Sequence, residues 1–394
     1  MNFQELNSPE AKKFIQENLS IPVEDILLRA RKFPSLNVPL LVTQIEGKNK
    51  AKKKLPTWYQ SETIVYPVKL SMEQCSSETT AAYKANLING DTLIDLTGGF
   101  GVDCTAFAGK MKKVIYIEQN KELAEIAAYN FKILGKNNIE VFNALTENFL
   151  QTFTGHADFI FLDPARRKEG NKVFRLSDCE PNIIALKEQL FKISTHVLLK
   201  TSPLLDIESA LKDLRQVKEV HVVAVDNECK ELLFLLDHKA SETEIVAVNI
   251  HKDRTDEFRF SRKEEQVATV SFHMPMQYLY EPNAAILKAG AFKSVAAKTG
   301  LFKLNASSHL YTSEELFENF PGRTFRILKT LKYSKPDLME ALPDGKANIT
   351  VRNFPDSVEQ IRKKTGIKDG GDLYLFATKD LHDKLVILVT KKNG

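Results

Sequence analysis

The stretch Asp91-Thr-Leu-Ile-Asp-Leu-Thr-Gly-Gly-Phe-Gly-Val-Asp103 decides the predicted fold of this 394-residue chain. It begins with the β-branched and aliphatic residues typical of a buried strand, which ends at Asp95, and it continues into a turn with three glycines. Because glycine has no Cβ atom, such a turn lets the backbone approach a ligand closely. The stretch predicts a strand, a ligand-binding turn and a following helix.

The same residues exclude two common phosphate-binding motifs. A P-loop ends in Gly-Lys-Ser/Thr, which does not occur here. A dinucleotide-binding motif that begins at Gly99 and Gly101 needs a third glycine where Cys104 stands. A triphosphate or pyrophosphate ligand therefore fits this turn poorly.

The residues around this stretch predict a parallel sheet. From Asp91 to Leu236, short apolar runs alternate with helical patterns, which is typical of βαβ units. The last two runs are close in sequence and predict a hairpin, which would give the sheet one antiparallel strand. We predict seven strands, at residues 92–96, 113–117, 140–143, 159–162, 197–200, 219–225 and 232–237.

Composition and termini limit the class of protein. The chain is 43% hydrophobic and 27% charged with a net charge of +4, close to a soluble globular average. Its four cysteines show no metal-ligand spacing, so we expect neither a zinc site nor disulfides. The N-terminus lacks the apolar core of a signal peptide, and no run approaches the ~18 apolar residues of a membrane span. We expect a cytoplasmic protein without a membrane segment or bound metal.

Changes in the pattern of helical and strand-like runs along the sequence predict four regions, at 1–70, 71–240, 241–323 and 324–394. The first is a helical module. The third contains strand-like runs at 244–251 and 266–272, followed by an alanine-rich helix at 283–298. The last is a compact α+β module of strand, helix, strand, helix and two strands, at 324–333, 336–341, 347–352, 357–365, 372–377 and 384–390.

The glycine-rich turn resembles the first motif of class I S-adenosylmethionine-dependent methyltransferases. The next strand ends at Glu118, 17 residues after Gly101, where these enzymes place the acid that binds both ribose hydroxyls. The resemblance implies S-adenosylmethionine as cofactor, with Asp95 near its methionine amino group and Asn143 at its adenine amino group. It also implies that the cofactor is contacted by further residues of the turn and of an upstream segment: Thr97, Gly98, Gly99, Gly101 and Thr79.

A second motif, Asp163-Pro-Ala-Arg-Arg167, follows the fourth predicted strand. Methyltransferases that act on nucleobase amines carry Asp/Asn-Pro-Pro-aromatic here, and the carboxylate or amide accepts hydrogen bonds from the amine. Asp163 and Pro164 match this pattern, whereas Ala165-Arg166 departs from it and replaces the usual stacking ring with a guanidinium, which could stack on a base or hold a phosphate. The resemblance implies Asp163, Pro164 and Arg166 as catalytic residues and leaves the target atom open.

Basic segments and the order of regions point to RNA. A block with five lysines, at residues 47–54, precedes Trp58 and Tyr59, and it is either a solvated loop or a phosphate-binding segment beside stacking rings. The whole chain resembles a bacterial methyltransferase family with a ferredoxin-like segment and a THUMP-like C-terminal domain. THUMP domains bind structured RNA, so the resemblance implies tRNA or rRNA as partner. The basic face would include Arg323, Arg326, Arg352, Lys363 and Lys364.

The predicted fold is α/β: a Rossmann-like seven-stranded methyltransferase sheet with an N-terminal helical module and a C-terminal α+β region. The leading function is methylation of a nucleobase nitrogen in structured RNA. The alternatives are a small-molecule or protein methyltransferase whose extra domains serve dimerisation, and a non-enzymatic RNA-binding module. Cys179 is interpreted as structural, since the nucleophilic thiol of base C5 methylation follows a later strand. The turn Lys200-Thr-Ser-Pro203 is either a plain turn or part of a substrate pocket.

Overall fold

The computed structural model describes residues 3–166 and 175–393. The chain forms two compact units, Met1–Lys218 with Leu232–Glu242 and Glu219–Glu231 with Thr243–Gly394. In the described ranges, no helix is long and apolar enough to cross a membrane.

The first unit opens with short helices that share one apolar core. Ser8 and Asn37 cap two of them by accepting hydrogen bonds from backbone N–H groups of the first turn. Leu41, Ile45 and Trp58 are buried in the core. The helices are α1 (Phe3–Leu6), α2 (Pro9–Asn18), α3 (Val23–Leu28), α4 (Val38–Lys54) and α5 (Pro56–Gln60).

The structure corrects one interpretation of the lysine block at residues 47–54. The block is the end of α4 and not a solvated loop. Ala51 remains completely buried within the block, so the apolar face of the helix continues through it.

The remainder of the first unit alternates strands and helices, as the sequence predicts. The elements up to residue 152 are α6 (Lys69–Gln74), α7 (Glu78–Asn86), β1 (Thr92–Asp95), α8 (Val102–Phe107), β2 (Lys113–Glu118), α9 (Lys121–Ile133), β3 (Ile139–Asn143) and α10 (Thr146–Thr152). Those that follow are β4 (Phe159–Leu162), β5 (Ala165–Arg166), β6 (Cys179–Glu180), α11 (Ile183–Ile193), β7 (His196–Thr201) and α12 (Ile207–Leu214). The strands β8 (Val217–Val225) and β9 (Glu228–Asp237) come next, and their residues from Glu219 to Glu231 belong to the second unit.

The strand order in this unit is β3-β2-β1-β4-β7-β9. Neighbours are parallel except β9, which pairs antiparallel with β7 through Leu232–Asp237. All seven predicted strands and the antiparallel strand are confirmed. The chain leaves β1 toward β2 on one side and reaches β4 on the other, so a cleft opens at the carboxyl ends of β1 and β4.

In the second unit, Glu219–Val225 of β8 pairs in parallel with β10 (Glu244–Ile250), and β10 pairs antiparallel with β11 (Thr255–Ser261). The predicted strand at 266–272 is wrong. Its beginning belongs to helix α13 (Arg262–Val267), which Ser261 and Glu264 start with a reciprocal capping box.

The predicted helix at 283–298 is two helices, α14 (Ala284–Ala289) and α15 (Phe292–Thr299). Gly290 ends the first with a φ of +79°, a left-handed conformation that suits glycine.

A seven-stranded sheet completes the second unit, in the order β13-β14-β12-β15-β18-β17-β16. Its elements are β12 (Tyr278–Pro282), β13 (Phe302–Lys303), β14 (Tyr311–Ser313), β15 (Gly322–Lys332), α16 (Lys335–Ala341), β16 (Asn348–Val351), α17 (Val358–Thr365), β17 (Leu373–Lys379) and β18 (Leu385–Lys392). From Gly322 onward, the predicted order of strands and helices is confirmed. Apolar cores lie on both faces of this sheet, around Ile387 and Val389 and around Phe325 and Leu388.

Candidate active site

A cavity of about 320 Å³ lies in the first unit, at the carboxyl ends of β1 and β4. The fold thus opens a site where the strand order reverses. Seven of the sequence-predicted site residues line this cavity: Asp95, Thr97, Gly98, Gly99, Gly101, Glu118 and Asp163.

The loop Thr97–Gly101, here called the glycine loop, is held against β2. The Gly98 N–H donates to the Ile117 carbonyl at 2.8 Å, and the Tyr116 hydroxyl donates to the Gly99 carbonyl at 2.6 Å. A Cβ atom on Gly98 would lie 2.1 Å from the Tyr116 ring. Glycine is therefore required at Gly98 for the loop to lie on this ring.

Asp95 ends β1 as a completely buried carboxyl group. One oxygen, Oδ1, accepts from the Thr97 N–H at 3.0 Å, and Oδ2 has no hydrogen-bond partner among the described residues. Burial raises the pKa of Asp95 well above its usual range, and the negative charges of Asp103, Asp163 and Glu118 act in the same direction, while the Thr97 N–H opposes them. A cationic ligand group would stabilise the ionised form of this carboxyl group.

Glu118 points from the end of β2 into the same cavity. Its Oε2 accepts from the Gly99 N–H at 2.9 Å, and its Oε1 accepts from the Asn120 N–H at 2.7 Å. Each carboxylate oxygen has two lone pairs, so both can accept a further hydrogen bond. The side chain is therefore fixed and still able to bind a pair of hydroxyl groups.

These features fit S-adenosylmethionine, which carries an ammonium group, a positively charged sulfur and two ribose hydroxyls. Asp95 supplies an unpartnered oxygen for a cation, and Glu118 supplies acceptors for hydroxyls. Within residues 3–166 and 175–393, no group of three or more His, Cys, Asp or Glu side chains is placed to hold a metal ion.

Three other predicted residues lie elsewhere. Asn143 is exposed, and its amide donates to the carbonyls of Glu118 and Gln119 at 2.8 and 3.0 Å, which ties the ends of β2 and β3 together. Thr79 is exposed in the first turn of α7, and Pro164 is buried and absent from the described cavity lining. Their predicted roles remain predictions.

The upstream segment does reach the cavity, through residues other than Thr79. Those that line it are Ser71, Gln74, Cys75 and Ser76. Lys54 holds this segment, because its ammonium group donates to the Met72 and Glu73 carbonyls at 2.9 Å each, and Lys50 pairs with the Glu73 carboxylate at 2.5 Å. Two lysines of the block therefore support the cavity wall.

The predicted stacking role of Trp58 is wrong. Its side chain is 2% exposed and packs against Phe100 of the glycine loop, with ring centroids 4.8 Å apart. Trp58 belongs to the core beneath the cavity.

Lys84 and Asp103 form a buried ion pair near the cavity that sequence reasoning missed. The Lys84 ammonium group lies 3.2 Å from Asp103, and the Ser76 hydroxyl donates to Asp103 at 2.7 Å. Lys84 is completely buried on the same face of α7 as Ala81 and Ala85. The sequence does carry a signal for this ion pair, namely a lysine on an apolar helix face. A buried lysine of this kind requires a partner for its charge.

Asp163 follows β4, beside the glycine loop. Its backbone N–H donates to the Thr97 hydroxyl at 2.6 Å, and its carboxylate forms an ion pair with Lys200 of β7. The sequence interpretation left Lys200 open between a plain turn and a pocket residue, and the pair with Asp163 was missed.

The strand β6 completes the wall near Asp163. Ala165 and Arg166 of β5 pair with Glu180 and Cys179 of β6, and Glu180 and Pro181 line the cavity. The Cys179 side chain is fully buried, which fits a structural thiol. The Arg166 side chain and Arg167 lie outside the part of the chain that the structure describes.

Comparison with known proteins identifies the family. A protein from Porphyromonas gingivalis W83, whose crystal structure is described as that of a candidate methyltransferase, is 34% identical in sequence. The superposition covers 100% of this chain and 99% of that chain with a TM-score of 0.90. The chain belongs to the same methyltransferase family.

Other comparisons agree with this membership. An uncharacterized S-adenosylmethionine-dependent methyltransferase of Mycobacterium tuberculosis (strain H37Rv) is 19% identical over 316 residues, which cover 78% of this methyltransferase and 83% of the relative. Residues 77–223 match the family described as conserved hypothetical protein 95. Residues 278–321 match a ferredoxin-like domain, and residues 322–392 match a THUMP-like domain. The expected enzyme class, S-adenosylmethionine dependence and THUMP-like region are confirmed.

Proposed function

We propose that this methyltransferase methylates a nucleobase nitrogen in a structured RNA, a tRNA or an rRNA. The observation that carries the proposal is the position of Asp163, whose carboxylate lies in the wall of the cavity that the glycine loop and Glu118 also line. An ionised carboxylate accepts hydrogen bonds and donates none. At this point it can hold the N–H of a methyl acceptor beside the cofactor.

The chemistry divides between ligand and protein. When bound, S-adenosylmethionine supplies a methyl group whose bond to sulfur is replaced by a bond to the acceptor nitrogen, while the electron pair of the broken bond stays on sulfur and the nitrogen loses a proton. Asp95 and Glu118 would hold the cofactor, and Asp163 would orient the nitrogen lone pair toward the methyl group. Orientation of this kind acts mainly on turnover.

The second unit supports RNA as the substrate class. Its C-terminal part is THUMP-like, and Arg326 of β15 lies directly opposite Lys391 of β18 in the sheet register. Both side chains are exposed. Like charges at opposing positions of antiparallel strands repel each other, and a phosphate between them would relieve this repulsion.

Three other predicted basic residues already have a carboxylate partner. Arg323 and Arg352 both pair with the buried carboxylate of Glu281, and Lys364 pairs with Asp356 at 2.6 Å. The proposed RNA contacts on this sheet therefore centre on Arg326 and Lys391.

The test is a comparison of methylated nucleosides, by mass spectrometry, in total RNA from the source strain and from a strain that lacks the gene. We expect one base-methylated nucleoside to be absent from the deletion strain. It should return on complementation with the wild-type gene and not with the Asp163→Ala variant. If every methylated nucleoside persists in the deletion strain, the RNA proposal is wrong and a small-molecule or protein acceptor is favoured.

A further inference from the structure

Lys200 is a mostly buried lysine with a defined position in the sheet of the first unit. Leu162 of β4 lies opposite Leu199 of β7, so the next residues of the two parallel strands, Asp163 and Lys200, come side by side. Their side chains form an ion pair, with 11% of Lys200 and 33% of Asp163 exposed. The register of the sheet fixes the positions of the two residues, so this pair is not a flexible surface contact.

The two members of the pair have different access to the cavity. Asp163 lines it, whereas Lys200 is absent from the described lining residues. Lys200 contacts one carboxylate oxygen of Asp163, Oδ2. The carboxylate has a second oxygen, and each oxygen has two lone pairs, so Asp163 can still accept hydrogen bonds while it is paired.

We infer that Lys200 is a positioning residue for methyl transfer, which fixes the orientation of the Asp163 carboxylate as a hydrogen-bond acceptor. This inference rests on the proposed function. It implies that the methyl-accepting nitrogen carries at least one hydrogen, because a carboxylate that only accepts cannot bind a bare nitrogen lone pair. The acceptor class is then an amine or a ring N–H of a base.

A purely stabilising role explains the pair less well. Removing two charges from water costs free energy that their attraction only partly returns, so a buried ion pair is weak evidence for stability. From Ile160 to Leu162 of β4, the strand pairing with β7 is made by apolar residues that need no charge. The ionic pair follows directly after them, at the end of the pairing that adjoins the cavity.

Other charged and titratable groups lie near the pair. They are Lys54 of α4, Cys75 after α6 and Asp95 of β1. Burial lowers the pKa of Lys54, which the positive charge of Lys200 lowers further and the Cys75 thiol opposes. Burial also raises the pKa of the Cys75 thiol. Loss of Lys200 therefore removes the cation that contacts Asp163 and leaves these groups in place.

The test compares Lys200→Met, Lys200→Gln and Lys200→Arg with wild type. Lys112→Met is the matched control, since it removes a lysine from an exposed ion pair with Asp91. The Kd of S-adenosylmethionine is measured by calorimetry, and kcat and KM are measured for methyl transfer into RNA from a deletion strain. Two uncharged variants are included so that failure of one to fold leaves the other as the test.

In Lys200→Met and Lys200→Gln we expect an unchanged Kd, a loss in kcat of about 30-fold and little change in the KM for RNA, because a carboxylate without its fixed partner no longer holds the acceptor in one orientation. Lys200→Arg should restore most of kcat. Near-normal kcat in the uncharged variants would overturn the inference. A parallel loss of cofactor binding and turnover would overturn it as well and assign Lys200 a structural role. If wild type methylates none of the RNA, the proposed function fails, and this inference fails with it.

Discussion

The backbone N–H of Asp163 donates a hydrogen bond to the side-chain hydroxyl of Thr97 at 2.6 Å. This bond joins the glycine loop after β1 to the motif after β4, which are 66 residues apart in sequence. The proposed cofactor loop and the proposed acceptor residue are thus held in one arrangement, and a change at Thr97 should affect their alignment.

Replacing Thr97 by valine removes the hydroxyl while keeping the branched shape. We expect Thr97→Val to lower kcat by about tenfold with a Kd for S-adenosylmethionine within about threefold of wild type, since misalignment acts on turnover. Thr97→Ser keeps the hydroxyl and should behave like wild type. Calorimetry and methyl-transfer assays give the two quantities, and equal activity of the valine and serine variants would contradict the role of this bond.

Glu118 tests the cofactor assignment. In Glu118→Ala, the ribose hydroxyls lose a charged acceptor worth about 1.5–3 kcal/mol per hydrogen bond, so we expect the Kd of S-adenosylmethionine to rise by about 10- to 150-fold for each hydrogen bond lost. Glu122→Ala is the control, because Glu122 is exposed on α9 and absent from the described cavity lining. Unchanged affinity of Glu118→Ala in calorimetry would refute the assignment.

Much of the fold follows from local sequence patterns. The strands of the first unit are short apolar runs with clear boundaries, and glycines mark the loop after β1, so both are predictable. The run Val267-Ala-Thr-Val-Ser-Phe272 alternates like a strand, yet its first residue ends α13. The pattern Ser261-Arg-Lys-Glu264 predicts the start of a helix by a capping box, and this helix forms in place of the beginning of the predicted strand.

The site is less predictable, because its partners come from distant elements. Glycines and acids at strand ends are visible in the sequence, but the pair between Asp163 and Lys200 depends on which strands are neighbours and on their register. The burial of Trp58 has the same origin. An aromatic residue after a lysine block suggests stacking on a base, and only the packing of α5 against the glycine loop shows that the ring is covered.

Arg326 and Lys391 test the RNA surface on the second unit. The variant Arg326→Gln/Lys391→Gln should bind RNA more weakly, with a salt slope lower by about 0.7–0.9 for each phosphate that these side chains no longer neutralise. Its thermal stability should not fall, because two like charges at opposing positions are removed. The control Lys252→Gln/Lys263→Gln makes the same charge change at exposed sites of that unit. Equal affinity and slope in both variants would exclude this surface.

The lysine block requires a selective test. Lys50 and Lys54 contact the segment that lines the cavity, so neutralising all five lysines would disturb the cofactor site as well. Lys52 and Lys53 are exposed, and Lys52→Gln/Lys53→Gln should lower RNA affinity and its salt slope without changing cofactor binding. Lys110→Gln/Lys132→Gln is the control at exposed positions of the same unit. Filter binding at two salt concentrations that shows no difference between these variants would assign the end of α4 a structural role only.

The most direct test of methylation at a base nitrogen uses S-adenosylmethionine with a deuterated methyl group. The purified protein is incubated with this cofactor and with RNA from a strain that lacks the gene, and the digested nucleosides are analysed by mass spectrometry. We predict the label on a nitrogen of one nucleobase with the wild-type protein, and little or none with Asp163→Ala, whose affinity for the cofactor stays near wild type. Label on a ribose, on a base carbon or on no nucleoside, or equal labelling by Asp163→Ala, would contradict the proposed reaction.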